Sequence, residues 1–406
     1  MIHLLWPLLA WSQEIRSENI KSLLEARNPR VSAANLSSEA AAKREGAFVR
    51  SFLPSVEAYA AQEKFKKGRG PAKDQPAYGV EASINLFNGG KDWLNGRSVS
   101  LEAEKKKSGG QRVLSEELEK ARSAYWELRY LQEKSSLLKS TLEVNQKNLD
   151  SALRRIRSGV ATKSDQFEFE MKEVELRREQ AETALKIATG EKALALLLGL
   201  GDAKLSFPES LAHDHAYEEV LKHSPEDHSF LFREAEIEAE QADIASSSRG
   251  RDWWPKLDAY AAFNQYNERE EDFANKADRK ESVVGLRLSL SLSAGAESVF
   301  ESAALAKETE AAKALGEFQR DEIKNHIDAE IASLKLLHDQ VHEAEENIRR
   351  ASGYYNITQS EYARGVKNSP DVLGAADKLY DMQHKRLEII RDFQVAKGHI
   401  LAKIGR

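Results

Sequence analysis

No cysteine occurs anywhere in the 406 residues. That excludes a disulfide framework, a thiolate metal site and an acylated N-terminal cysteine. No apolar run reaches the ~18 residues of a membrane-spanning helix. Proline is scarce, at nine residues, while charged residues make up 31%, which suits long exposed helices. The net charge of −6 comes with no strong basic block, so nucleic acid is not an expected partner. No Ser/His/Asp constellation or phosphate-binding glycine loop stands out, and no cofactor is expected. His213, His215, His223 and His228 cluster in a polar stretch, but without ligand spacing on a regular element. A solvated linker, not a metal centre, is the expectation there.

What is present is the same sequence twice. Phe52–Ala61 reappears as Trp253–Ala262, a shift of 201. From about residue 79 the shift is a constant 206: Gly79 falls on Gly285, Gly89 on Gly295, Gly159 on Gly365, Asp165 on Asp371 and Gly199 on Gly405. The five-residue difference is expected in the loop holding Gly68, Gly70, Pro71 and Pro76. Duplication on this scale means one supersecondary unit used twice.

Each copy reads as helix, strand, loop, strand, very long helix, tight turn, helix. In the first copy the opening helix covers about 28–50, the strands about 52–65 and 78–87. The long helix then runs to about Ser158, with a possible break at Gly109-Gly110, and a last helix spans about 164–198. Gly159 and Gly365 sit where glycine commonly terminates a helix. The strands alternate with period two. Val80, Ala82, Ile84 and Leu86 share one face, as do Leu286, Leu288, Leu290 and Leu292 in the second copy. Such alternation over about ten residues suits a transmembrane β-barrel, and equally an antiparallel sheet on a soluble core. Phe52, Trp93, Trp253 and Trp254 gather at the strand ends nearest the helices, as a membrane girdle requires; aromatics flanking a strand are also common in cores.

The long helices carry sevens. Leu114, Ala121, Leu128, Ser135, Leu142, Leu149 and Ile156 are matched at the same offset by Arg320, Ile327, Leu334, Val341, Ile348, Tyr355 and Tyr362. Such a repeat means helices supercoiling side by side. Ala124, Leu131, Leu138 and Ala152 form a second seam three positions on. Two seams let a helix pack between two neighbours, as a closed helical wall requires; a long antiparallel coiled coil without a channel is the other reading. Four strands per chain cannot close a barrel in lipid, so a membrane reading demands oligomers. At the start, Ile2–Trp11 is apolar and Ala10-Trp11-Ser12 reads as an A-x-S cleavage site. Residues 1–17 resemble a truncated secretory signal; a docked apolar terminus is the alternative. Residues 18–200 are then the first repeat, 201–217 a connector and 218–406 the second repeat.

The duplication, the strand pairs and the turns Arg157–Asp165 and Tyr362–Leu373, each with Gly-x-x-x-x-x-Asp, resemble the TolC-type outer-membrane efflux proteins. The resemblance runs from about residue 18 to 405. It implies a mainly α fold with transmembrane β, in which a homotrimer joins a twelve-stranded outer-membrane barrel to a periplasmic α-helical barrel. It also implies no catalysis: the chain would be the passive exit duct of a tripartite efflux or type I secretion system. Its partners would be outer-membrane lipid, a periplasmic adaptor protein and an inner-membrane pump, in a Gram-negative-type bacterium. Carried over by motif, a periplasmic gate would involve Ser164, Asp165, Tyr362 and Lys367. Lys367 stands where the family has arginine, so a non-bidentate contact is expected. A pore constriction would use Asp371; Gly374 departs from the family's second aspartate, and Asp377 could substitute. Alternatively, Ser369-Pro370-Asp371 is an ordinary N-cap, N1, N2 start. The competing function is a soluble or periplasmic coiled-coil scaffold or adaptor, although adaptors carry one hairpin, not two.

Overall fold

The computed structural model describes residues 13–65, 73–218, 230–266 and 280–405. A two-residue strand β1 (Gln13–Glu14) is followed by α1 (Ile20–Arg27) and α2 (Pro29–Phe48). Next come β2 (Ser55–Phe65), β3 (Lys73–Asn88), α3 (Lys91–Arg157), α4 (Lys163–Leu197) and the short β4 (Leu205–Ser206). The second repeat supplies α5 (Phe230–Arg249), β5 (Lys256–Tyr266), β6 (Lys280–Ser289), α6 (Leu292–Ala363) and α7 (Ser369–Lys403). Two compact units result, and each draws on both repeats. The described parts of 1–34, 110–231 and 321–406 form a helical unit; 35–109 and 232–320 form a sheet-bearing unit.

In the helical unit the sevens are the packing code. Ala121, Leu128 and Leu149 of α3 are buried, as are Ile327, Leu334, Val341, Tyr355 and Tyr362 of α6. Leu131, Leu138 and Ala152 of the second seam are buried too. The main core joins α1, α3, α4, α6 and α7 through Leu24, Tyr125, Leu128, Leu194, Val341 and Ile390. Fully burying one such side chain stabilises by about 1.5–3 kcal/mol, so these seams hold the helices together. Ile15 lies in the same core, and β1 pairs in parallel with β4. Residues 13–17, within the segment read as a leader, are therefore part of the folded unit; 1–12 lie outside the described residues.

Four details differ from the sequence reading. The opening helix read at about 28–50 is α2, but a further helix, α1, precedes it; Asn28 separates the two by capping α2, its Oδ1 accepting from the backbone N–H of Arg30 (2.8 Å) and Val31 (3.1 Å). Helix α3 runs unbroken for 67 residues through Gly109-Gly110. β3 begins at Lys73 and so includes Pro76. Among the described residues the β5 ladder starts only at the next residue, Ala77, opposite Tyr266, and Pro76 pairs with Gln62 of β2 alone, a position that proline tolerates. Gly68, Gly70 and Pro71 lie outside the described residues. Finally, β6 stops at Ser289 and α6 starts at Leu292, so Leu290 and Leu292 lie beyond the strand.

The sheet is antiparallel in the order β2-β3-β5-β6. Its register aligns Val56, Ala82, Ala261 and Val284 across all four strands, and Ala259 with Ile84 and Leu286. A bulge between Asn85 and Phe87 brings Phe87, not Leu86, opposite Leu257. On the other face Tyr59 is opposite Gly79 and Tyr260 opposite Gly285, the same pair once per repeat. A Cβ on Gly79 would lie 2.5 Å from the Tyr59 ring, and one on Gly285 3.0 Å from the Tyr260 hydroxyl. Each ring therefore occupies the space over a side-chain-free backbone. Tyr59 also donates its hydroxyl to Asn264 at 2.8 Å.

Candidate functional site

The residues singled out by motif gather at the two interhelical turns, both in the helical unit. The turns are built alike. After α3, Gly159 has φ +75°; its N–H reaches the Ile156 carbonyl and that of Val160 the Arg155 carbonyl. After α6, Gly365 has φ +83°; its N–H reaches Tyr362 and that of Val366 reaches Glu361. This double bond pattern is the Schellman stop, which needs a left-handed residue after the helix cap. The next helices start alike as well. Thr162 and Asn368 are the N-caps, and Asp165 and Asp371 close capping boxes on them. The N-cap of α7 is thus Asn368, and Ser369, Pro370 and Asp371 are its first three helical residues. The carboxamide of Asn368 accepts from Asp371 N–H at 3.2 Å while Ser369 turns elsewhere.

Asp165 and Asp371 occupy the same position in the two copies but do different things. Oδ2 of Asp165 accepts from Thr162 N–H at 2.8 Å. Its Oδ1 accepts from the hydroxyl of Ser369 at 2.6 Å, across 204 residues of sequence. Ser369 is fully buried, and its single proton goes to Asp165. The 3.3 Å contact between Ser369 and Tyr362 is therefore donated by the tyrosine hydroxyl. Tyr362 is 2% exposed and packs edge-on to Phe169. The Arg155 guanidinium lies 4.0 Å from its ring centroid and donates to its carbonyl at 2.7 Å. Arg155, Tyr362, Ser369 and Asp165 thus form one chain joining α3, α6, α7 and α4. Partial desolvation pushes the Asp165 carboxyl up, but the bonds from Ser369 and Thr162 outweigh it and hold it below its ordinary value.

Among the described residues Asp371 has no such distant partner. Its Oδ2 accepts from Asn368 N–H at 3.1 Å, and Oδ1 lies 3.9 Å from Lys367 Nζ. Within one chain, Lys367 meets Asp371 and not Asp165, and Ser164 is exposed. Asp377 pairs with Lys172 of α4 at 3.0 Å. Burial pulls Lys172 down, while Asp377 and Glu175 more than reverse it, so the amine sits above its ordinary range. One seven-residue step further, Glu179 accepts from the Tyr380 hydroxyl at 2.9 Å. Asp165, Lys172 and Glu179 are therefore rungs of a polar ladder from α4 to α7, with buried Phe169 and Leu176 between them. Sequence reasoning found Asp165 and Tyr362 but missed Ser369 and Arg155, the groups that link them.

In the sheet unit, Phe52, Trp93, Trp253 and Trp254 are all exposed. They flank the end of the sheet where Asn88, Lys256 and Ser289 are paired. Val56, Val80, Phe263, Val284, Leu286 and Leu288, which share one face by register, are exposed as well. Within one chain β2 and β6 each pair on one side only. Among the described residues the sheet thus shows an exposed apolar face and two edges paired on one side, the combination that marks an association surface.

The profile of the outer membrane efflux protein family matches residues 20–200 and 221–403, that is, nearly all of both copies. The chain belongs to the outer membrane efflux protein family. No curated protein matches it in sequence. Its fold is similar to that of the outer membrane protein VceC from Vibrio cholerae, with a TM-score of 0.82 at 17% identity, covering 96% of each chain. It is also similar to the Campylobacter jejuni CmeC outer membrane channel, with a TM-score of 0.77 at 14% identity, covering 96% of this chain and 85% of that one. The open state of the Neisseria gonorrhoeae MtrE outer membrane channel gives a TM-score of 0.75 at 17% identity, covering 96% and 89%. Membership decides the broad choice: an outer-membrane efflux protein, not a soluble scaffold. No helix among the described residues is long and apolar enough to cross a membrane.

Proposed function

We propose that three copies of this chain close a twelve-stranded barrel in the outer membrane and continue as a helical conduit into the periplasm. The observation that carries this reading is the sheet. It has four strands per chain, an exposed apolar face, and open edges at β2 and β6. Lipid offers no hydrogen bonds to such edges, so β6 of one copy would pair with β2 of the next until the ring closes. The exposed Phe52, Trp93, Trp253 and Trp254 would sit at the interface of the bilayer. The conduit would be passive, serving as the exit duct of a tripartite efflux or type I secretion system. A periplasmic adaptor and an inner-membrane pump would supply opening and energy.

The paired turns would be its closed end. Ser164 is exposed, and Lys367 and Asp371 are both partly exposed, so all three could face a neighbouring copy. Asp165 and Tyr362 would act from beneath, by fixing the turns that present them. Asp371, and Asp377 six residues along, would form acidic rings that favour cations. Native mass spectrometry in mild detergent should give a trimer, and a cysteine pair placed on facing residues of β6 and β2 should cross-link between copies. A monodisperse monomer with no cross-link would remove the barrel reading.

A further inference from the structure

Among the described residues the stretch between the repeats is not a solvated linker; His223 and His228 lie outside them. His213 and His215 fold back onto α6 beside His338 and His342. Those two residues are four apart on the helix and so share a face. The His213 and His338 rings lie 4.7 Å apart between centroids, His213 and His342 5.5 Å, and His215 and His342 5.7 Å. One nitrogen from each of His213, His215 and His342 lies within 4.8 Å of the others. Nε2 of His213 is 2.8 Å from Nδ1 of His338.

The cluster stands on a firm floor. Phe393 packs against His213, and Tyr217 against His338; with Leu334 and Ile400 they form a buried core. The backbone carrying the first two histidines is clamped from α7 on both sides of His213. Gln394 Nε2 donates to the Ala212 carbonyl at 2.6 Å, and Lys397 pairs with Asp214. The carboxylate of Glu345, three residues past His342, is taken by Arg386 at 2.8 Å. Packing four imidazoles together gains little by itself.

We propose that His213, His215 and His342 bind one late first-row divalent cation of the zinc class, with His338 orienting His213 from behind. Three imidazoles without thiolate or free carboxylate suit Zn2+, Cu2+ or Ni2+ and not Mg2+ or Ca2+. Tetrahedral zinc holds its nitrogens at about 2.0–2.1 Å, which places them roughly 3.3 Å apart by the same geometry. His215 and His342 are exposed, so modest rotation of their rings closes the difference. With Nε2 of His213 donating to His338, Nδ1 is left for the ion, as in other sites where an outer partner fixes the tautomer. Bound there, the ion would staple the segment between the repeats to α6.

The test uses the full chain, purified in detergent and stripped with EDTA. Calorimetric titration with Zn2+ should show one site per chain. His213→Ala, and the double variant His215→Ala with His342→Ala, should each weaken it at least tenfold. His384→Ala and His399→Ala, outside the cluster, should leave it unchanged. Zinc binding that ignores all of these substitutions, or no saturable binding by the wild-type chain, overturns the proposal. If the cluster variants fail to fold, Cu2+ bound to the wild-type chain decides the matter. Its electron paramagnetic resonance spectrum should show coupling to several imidazole nitrogens, and a spectrum without nitrogen coupling overturns the site.

Discussion

The two interhelical turns are copies of one another down to the stop signal and the capping box, yet only one of their two aspartates reaches the other hairpin. Asp165 reaches Ser369 on the other hairpin; its twin Asp371 reaches only its own cap and Lys367. The backbone roles of glycine, cap and acid are local and were duplicated intact. The difference comes from the residue one past the cap, which is Lys163 in one copy and Ser369 in the other. A small hydroxyl tucks under and meets Asp165; a lysine at the same place is exposed. Duplication thus gave two turns with one geometry, and a single position then separated anchor from free acid.

The comparison breaks most directly at Tyr362, which is buried under the anchored side. Tyr362→Ala should cost about 3–5 kcal/mol in unfolding stability and raise hydrogen exchange in the first turns of α4 and α7 together. Exchange confined to α7 would mean that the chain from Tyr362 to Asp165 carries no load. Next comes the asymmetry itself. Asp165→Ala loses a cap and a charge-assisted bond, at about 1.5–3 kcal/mol, whereas Asp371→Ala loses little beyond a cap, at about 1 kcal/mol. Ser369→Ala should remove most of the gap between them, and equal losses for the two aspartates in denaturant titrations would refute the distinction. The backbone halves should instead stay equal. Gly159 and Gly365 meet nothing closer than 4.0 Å where a Cβ would stand, so alanine at either adds only left-handed strain, about 1–2 kcal/mol.

Acid sharpens the same contrast. The folded Asp165 carboxyl lies below its ordinary value, so its contribution is present above about pH 4, the unfolded range for aspartate. It is lost as pH falls through the lower folded value. Protection of the first turn of α4 should therefore decline below about pH 4, and Ser369→Ala should move that decline upward. The smallest effect is expected at the free side. Lys367→Ala removes an exposed pair worth about 0.3–0.5 kcal/mol, and a larger loss of trimer closure in conductance measurements would show that Lys367 works between copies.

Much of this was legible beforehand, because it is written in local chemistry. Period two gave the sheet, sevens gave the seams, and glycine followed by an acid gave both turns. What escaped needed contacts distant in sequence. Ser369 was read as an N-cap because Ser-Pro-Asp is a good local start; nothing nearby reveals that Asn368 takes that role and frees the hydroxyl for Asp165. Gly109 looked like a break, since glycine costs about 1 kcal/mol in a helix. A Cβ there would stand 2.9 Å from Glu234 Oε1, so the Glu234 carboxylate of α5 lies over the glycine, a contact invisible in the local sequence. The histidines escaped for the same reason: His213 and His215 find their ligand spacing on a helix 125 residues away.

The two tyrosine–glycine pairs of the sheet bear on how this chain can change over time. Each ring fills the place where its opposite glycine would need a side chain. Replacing the glycine first collides with the ring, and replacing the tyrosine first leaves bare backbone uncovered. Neither member can drift alone without loss, so Tyr59 with Gly79, and Tyr260 with Gly285, should be inherited as units. Among descendants of this sequence those four letters should turn over more slowly than their neighbours, and in step.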